Sequence, residues 1–92
     1  MNPHVITVIP QENYRLVLTF NNGEQRLFDL TPYLDKGVFQ ELRDTHYFRR
    51  VRIVAGSIEW PNEQDLSHDT LYLRSVPTTL DVSQLPEPAK IT

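Results

Sequence analysis

Ninety-two residues, 39% of them hydrophobic and 23% charged, make one globular domain near the lower size limit for independent folding, able to bury only about 60–65% of its unfolded surface. A formal net charge of −3 lacks the basic footprint that phosphate binding needs, and with no cysteine there is no disulfide, thiolate nucleophile or Cys-built zinc site. No basic-then-apolar leader is present and no run approaches the roughly 18 apolar residues that span a bilayer, so the expected setting is cytoplasmic and away from membranes.

The first element is "HVITVIP", His4 to Pro10, rich in β-branched residues and stopped by proline; both its faces are apolar, which predicts a central or covered strand. "NYRLVLTF" alternates, with Tyr14, Leu16, Leu18 and Phe20 on one face and Arg15, Val17 and Thr19 on the other. The "NNG" turn then fixes the pairing of the next strand. A three-residue loop with Gly23 left-handed sets Phe20 opposite Glu24, Leu18 opposite Arg26, Leu16 opposite Phe28 and Tyr14 opposite Leu30, keeping the apolar pairs together.

In "LTPYLDKGVFQELRDTHYF" the period changes to three or four. Thr31 is expected as an N-cap, with Pro32 at the first helical position. A turn at Pro32 to Asp35, a helix of about two turns around Val38 to Arg43, and a turn capped by Asp44 that buries Phe48 follow. Val38, Phe39 and Leu42 are expected to face the sheet.

"RRVRIVAGSIEW" reads as a second hairpin. A two-residue loop at Ala55-Gly56 aligns Ile53 with Ile58 and Val51 with Trp60 on one face, and Arg52 with Glu59 on the other. After a polar loop, "LSHDTLYLRS" admits a helical reading through Leu66, Thr70 and Leu73 and an extended one through Leu71 and Tyr72. From Val76 three of the seven prolines occur among few apolar residues, so 76–92 is expected to be a flexible tail after a domain at 1–75. The fold class is α+β: two β-hairpins and an N-terminal strand in a small, mainly antiparallel sheet packed on short helices.

The segment Gly56 to Ser75 resembles a catalytic inventory, with Trp60, Glu59, Glu63, Asp65, His68, Asp69 and three serines. A metal site needs three or four ligands converging with outer support. Glu59 is better explained by its cross-strand arginine, Glu63 by a solvated loop, and Ser67 or Asp65 by helix capping. Ser57, Ser67 and Ser75 lie in no nucleophile elbow, and His4 and His46 are isolated. Hence no catalytic residue, metal or cofactor is assigned, and a non-enzymatic role is expected.

"RRVR" is the basic cluster; its alternation places Arg50 and Arg52 on the outward face of a half-buried strand, where charges normally sit. Trp60 is read as the largest core residue, facing Val51, with partner anchoring as the alternative. Arg49, Arg50, Arg52, Trp60 and Tyr72 are therefore the candidate partner contacts. The favoured partner is another small protein, and an accessory nucleic-acid role for the three arginines is the alternative.

Taken in order, "LTFNNGE", "FDL", "GVFQELRD", "IEWP" and "DLSHDTLY" make the chain from about Val5 to Ser75 similar to the bacterial family known as domain of unknown function 2442. The resemblance implies a small α+β domain of hairpins on short helices with no established activity. In some relatives a similar domain is joined to a helix-turn-helix or encoded beside another small protein of unknown function, so the resemblance implies a regulatory or pairing role. The sequence departs from the family pattern at His68, where proline is usual, which argues against a shared ligand role there.

Overall fold

The computed structural model describes residues 1–78. Seven strands run in the order β1 Val5–Gln11, β2 Arg15–Phe20, β3 Gln25–Asp29, β4 Arg52–Val54, β5 Ser57–Glu59, β6 Asp65–Leu66 and β7 Val76–Pro77. Two short α-helices, α1 Thr45–Phe48 and α2 His68–Arg74, and 3-10 turns at Glu12–Tyr14, Thr31–Tyr33 and Gly37–Arg43 complete the α+β arrangement. The strands divide between two antiparallel sheets, one ordered β1-β2-β3-β7 and the other β4-β5-β6, and a common apolar core joins them.

Both hairpins have the register that keeps apolar residues on the core face. Leu18 pairs with Arg26 and Leu16 with Phe28, Gly23 has φ of 90°, and the Phe20 amide bonds the Glu24 carbonyl at 2.9 Å. In the second hairpin Ile53 pairs with Ile58 and Arg52 with Glu59. β1 is covered, with Val8, Ile9 and Pro10 all buried, yet it lies at a sheet edge instead of the centre. Its Val5 amide reaches the Gly56 carbonyl at 2.8 Å, tying that edge to the second hairpin, and Pro10 is tolerated because an edge strand need not donate on both sides.

The connecting segment differs from its expected form in period. Gly37–Arg43 is a 3-10 helix, and three residues per turn stack Phe39 over Leu42 while rotating Val38 onto the row of Glu41. Leu42 is fully buried and Phe39 packs on the core, whereas Val38 is 66% exposed. Thr31 is not an N-cap; it lies inside its turn, and Asp29 accepts from its amide at 2.9 Å and from its hydroxyl at 2.6 Å. Asp44 does cap α1, accepting from the amides of His46 and Tyr47.

"LSHDTLYLRS" resolves as a two-residue strand followed by a helix. β6 adds to β5 through Ile58–Leu66 and Glu59–Asp65 pairing, and the Ser67 hydroxyl caps α2 by accepting from the Thr70 amide. The segment expected as a tail from Val76 begins with β7, whose Val76 and Pro77 pair with Leu27 and Arg26. The remainder of that expected tail, residues 79–92, lies outside the described residues.

Candidate functional site

The candidate contacts do not form one patch. Trp60 is fully buried; its indole N–H donates to the Phe48 carbonyl at 2.8 Å and its ring stacks with Phe48. The last carbonyls of a short helix have no intrahelical partner, so this bond satisfies a group that burial would otherwise leave unpaired. Trp60 thus presents no surface to a partner.

Tyr72 is half-buried and engaged on three sides. Its hydroxyl donates to Glu24 at 2.5 Å, its ring meets Phe20 edge-on, and the Arg26 guanidinium lies 4.7 Å over its face. The Tyr72 hydroxyl, with Asn22 next, holds the Glu24 carboxyl below the ordinary carboxylate range, and Glu24 in turn raises Tyr72 above the ordinary phenol value. Glu24 therefore contributes stability that is present above its unfolded value of about 4.3 and lost as pH falls through its lower folded value. Tyr72, shifted upward, contributes stability present below about pH 10 and lost as pH rises through its folded value. Tyr72→Phe is expected to flatten both limbs of the melting temperature plotted against pH from 3 to 11. Identical profiles for the two proteins would remove this coupling from the account.

The three arginines separate. Arg52 heads β4 and its guanidinium grips Glu59 at 2.5 and 3.0 Å, as the register predicts. Arg49 and Arg50 follow α1 in a turn, so Arg50 is not on the strand face where alternation places it. The strand begins two residues later because Phe48 and the turn after it are fixed by the Asp44 cap, and the Arg49 and Arg50 amides bond Thr45 and Tyr47 carbonyls. Both arginines are exposed, and neither side chain has an ion-pair or hydrogen-bond partner among the described residues. Arg50→Glu is accordingly expected to change unfolding free energy by less than about 1 kcal/mol in a urea titration, as exposed charges away from specific partners usually do.

Arg49 lines a pocket of about 380 Å3 together with Gln11, Glu12, Asn13, Tyr14, Thr45 and Phe48. One wall is the β1–β2 corner, where Asn13 and Tyr14 have φ of 62° and 60°. Asparagine visits the left-handed region readily and tyrosine does not, so the corner stores strain that its surroundings must hold. They do so at three points. The Tyr14 carbonyl accepts from the Leu30 amide at 2.9 Å, its hydroxyl donates to the Arg43 carbonyl, and its ring packs edge-on against Phe48. The other wall is α1 and the arginine turn. Glu12, like Arg49, has no side-chain hydrogen bond or ion pair among the described residues, so the pocket offers one cation and one anion that do not neutralise each other.

The acids of the Glu59–Asp69 stretch go to separate contacts, except that the His68 ring lies between two neighbours, its Nε2 3.5 Å from Asp69 Oδ1 and its Nδ1 3.4 Å from the Ser57 hydroxyl oxygen. Glu59 pairs with Arg52, Asp69 accepts from Asn2 at 2.9 Å, and Glu63 occupies a left-handed turn position with φ of 72°. His68 bonds the Ser57 hydroxyl through its amide at 2.9 Å and tilts its ring against His4, 4.2 Å between centroids. Among the described residues no three His, Cys, Asp or Glu side chains are grouped to hold a metal ion.

The model of the family described as "Protein of unknown function (DUF2442)" matches residues 5–77. The chain belongs to that family. Its DUF2442 match takes in both sheets, the α1 turn and both walls of the pocket, and it ends at Pro77, the last residue of β7. No curated protein and no solved structure matches the chain. Among the described residues no helix is long and apolar enough to cross a membrane.

Proposed function

We propose that this DUF2442 domain is a non-enzymatic protein-interaction module whose contact face is the arginine turn and the pocket beside it. The carrying observation is the pair of unpartnered charges in that pocket. Arg26, Arg43 and Arg52 each engage a carboxylate of the same chain, whereas Arg49 does not, and of the arginines without such a partner it is the one that lines the pocket and is left for an external group. The pocket is also pre-formed, since the Tyr14 corner is fixed by Leu30, Arg43 and Phe48, and pre-formed sites lose less freedom on binding. A role as one member of a small regulatory pair agrees with this reading.

Site-specific photo-cross-linking in the native host tests it. A photoreactive residue at Thr45, on the pocket wall, is expected to give one discrete protein adduct. The same residue at Asn22 should give none, because the β2–β3 turn lies at the end of β2 opposite the pocket corner. Equal labelling from both positions, or no adduct from Thr45, sinks the reading.

A further inference from the structure

We infer that the pocket recognises an extended segment of a partner protein that carries one acidic side chain, with Arg49 taking the carboxylate and the Glu12 side taking backbone N–H donors. The inference rests on the reading of this face as a protein contact and adds the chemistry of what binds there. Three features lead to it. First, Arg49 presents a planar, always-charged donor fork suited to a carboxylate, with Arg50 adding positive charge from the same exposed turn.

Second, Glu12 lines the same cavity without a partner. A polyanion would bring repeated phosphates against that carboxylate, whereas a peptide bears a single acid flanked by amide donors. Like-charge juxtaposition of this kind is how an interface rejects the wrong partner. Third, the remaining lining groups are amide and hydroxyl side chains, Gln11, Asn13 and Thr45, with the aromatic walls of Tyr14 and Phe48. Polar groups that both donate and accept suit a main chain, and the cavity volume of about 380 Å3 lies at the small end of the range of ligand pockets, about 300–1,000 Å3.

Amide chemical shifts of the full chain, recorded during titration with three Gly-Ser peptides and a single-stranded oligonucleotide, provide the test. The peptides are identical except for a central aspartate, asparagine or lysine. The aspartate peptide is expected to shift amides in 11–14 and 45–49, and the asparagine peptide to bind about ten-fold more weakly, the loss that removing one charge-assisted bond brings. Arg49→Gln should reduce aspartate-peptide binding by a similar factor and leave the melting temperature in place. Glu12→Gln should raise affinity for the oligonucleotide above the level, weaker than for the aspartate peptide, that is expected of the unaltered chain.

The inference is overturned if the asparagine peptide binds as well as the aspartate peptide, if Arg49→Gln changes nothing, if no peptide shifts those amides, or if the oligonucleotide binds the unaltered chain more tightly. Cross-linking from Thr45 separates this failure from that of the wider reading. An adduct without acidic preference leaves an interaction module with another ligand chemistry, whereas absence of an adduct removes the module itself.

Discussion

Trp60→Ala is expected to cost about 3–5 kcal/mol, the range for deleting a large buried aromatic, and to leave the chain largely unfolded at 37 °C. A domain this small has a margin of about 5–15 kcal/mol at most, so one such loss removes a large part of it. Two losses combine at this position. The indole is fully buried in the common core of the two sheets, and its N–H is the partner of the Phe48 carbonyl. Trp60→Phe separates them, since it keeps much of the apolar area and deletes the donor, and it should cost about 1–3 kcal/mol from the unpaired carbonyl together with its smaller volume. Urea unfolding followed by circular dichroism gives both values without relying on tryptophan fluorescence. A Trp60→Ala protein that melts like the original would place the ring outside the core.

The parts of this fold that the sequence announces are those with a strict period and a turn residue to set it. "RLVLTF" and "RLFD" alternate on either side of a loop whose Gly23 takes the left-handed position, so a single register satisfies both strands, and the same logic aligns Arg52 with Glu59. Where the period is itself ambiguous, sequence runs out. "GVFQELR" suits an α-helix in its apolar spacing, and only the tighter 3-10 winding brings Val38 out to solvent. β6 has two residues and no alternation to detect. Next to it Gln64, a polar residue in a polar loop, is buried, its side chain accepting from the Tyr47 hydroxyl at 2.7 Å and donating to the Val38 carbonyl and Glu41 at 2.9 Å. Nothing local distinguishes it from its exposed neighbours Asn62 and Glu63.

The pocket was hidden for a related reason. Its walls come from 11–14 and 45–49, polar segments far apart in sequence that only the packing of Tyr14 on Phe48 brings together. Asn13 is a residue that tolerates positive φ, so a turn at that point was readable, but a left-handed tyrosine is imposed by tertiary contacts alone. Alternation places Arg50 beside Arg52 on one strand face, whereas the α1 cap leaves Arg49 and Arg50 in a turn and Arg52 on the strand, committed to Glu59. Trp60 and Tyr72, the aromatic candidates, are occupied by the fold itself.

Gly56→Ala is the second substitution expected to act strongly, through a contact the sequence does not display. Gly56 closes the β4–β5 turn with φ of 81°, and a methyl group built there would lie 2.5 Å from the His4 Nδ1 and 2.7 Å from its Cβ and Cγ. The left-handed conformation alone costs an alanine about 1–2 kcal/mol, and forced repacking about 1–3 more. His4 cannot simply swing aside. Its carbonyl accepts from the Asn21 amide at 2.7 Å, its amide donates to the Asn21 side chain at 3.1 Å, and its ring rests on His68. The next residue, Val5, bonds the Gly56 carbonyl itself. A total loss of about 2–5 kcal/mol is expected, with the β1 edge loosening from the second hairpin. Truncating the obstacle divides the effect into its parts. In the double variant His4→Gly with Gly56→Ala every contacting atom of the His4 side chain is removed, so Gly56→Ala should cost only the backbone share, about 1–2 kcal/mol, when measured in the His4→Gly background. Purely additive costs in this cycle would mean that the His4 ring does not press on Gly56, and that the turn alone requires glycine.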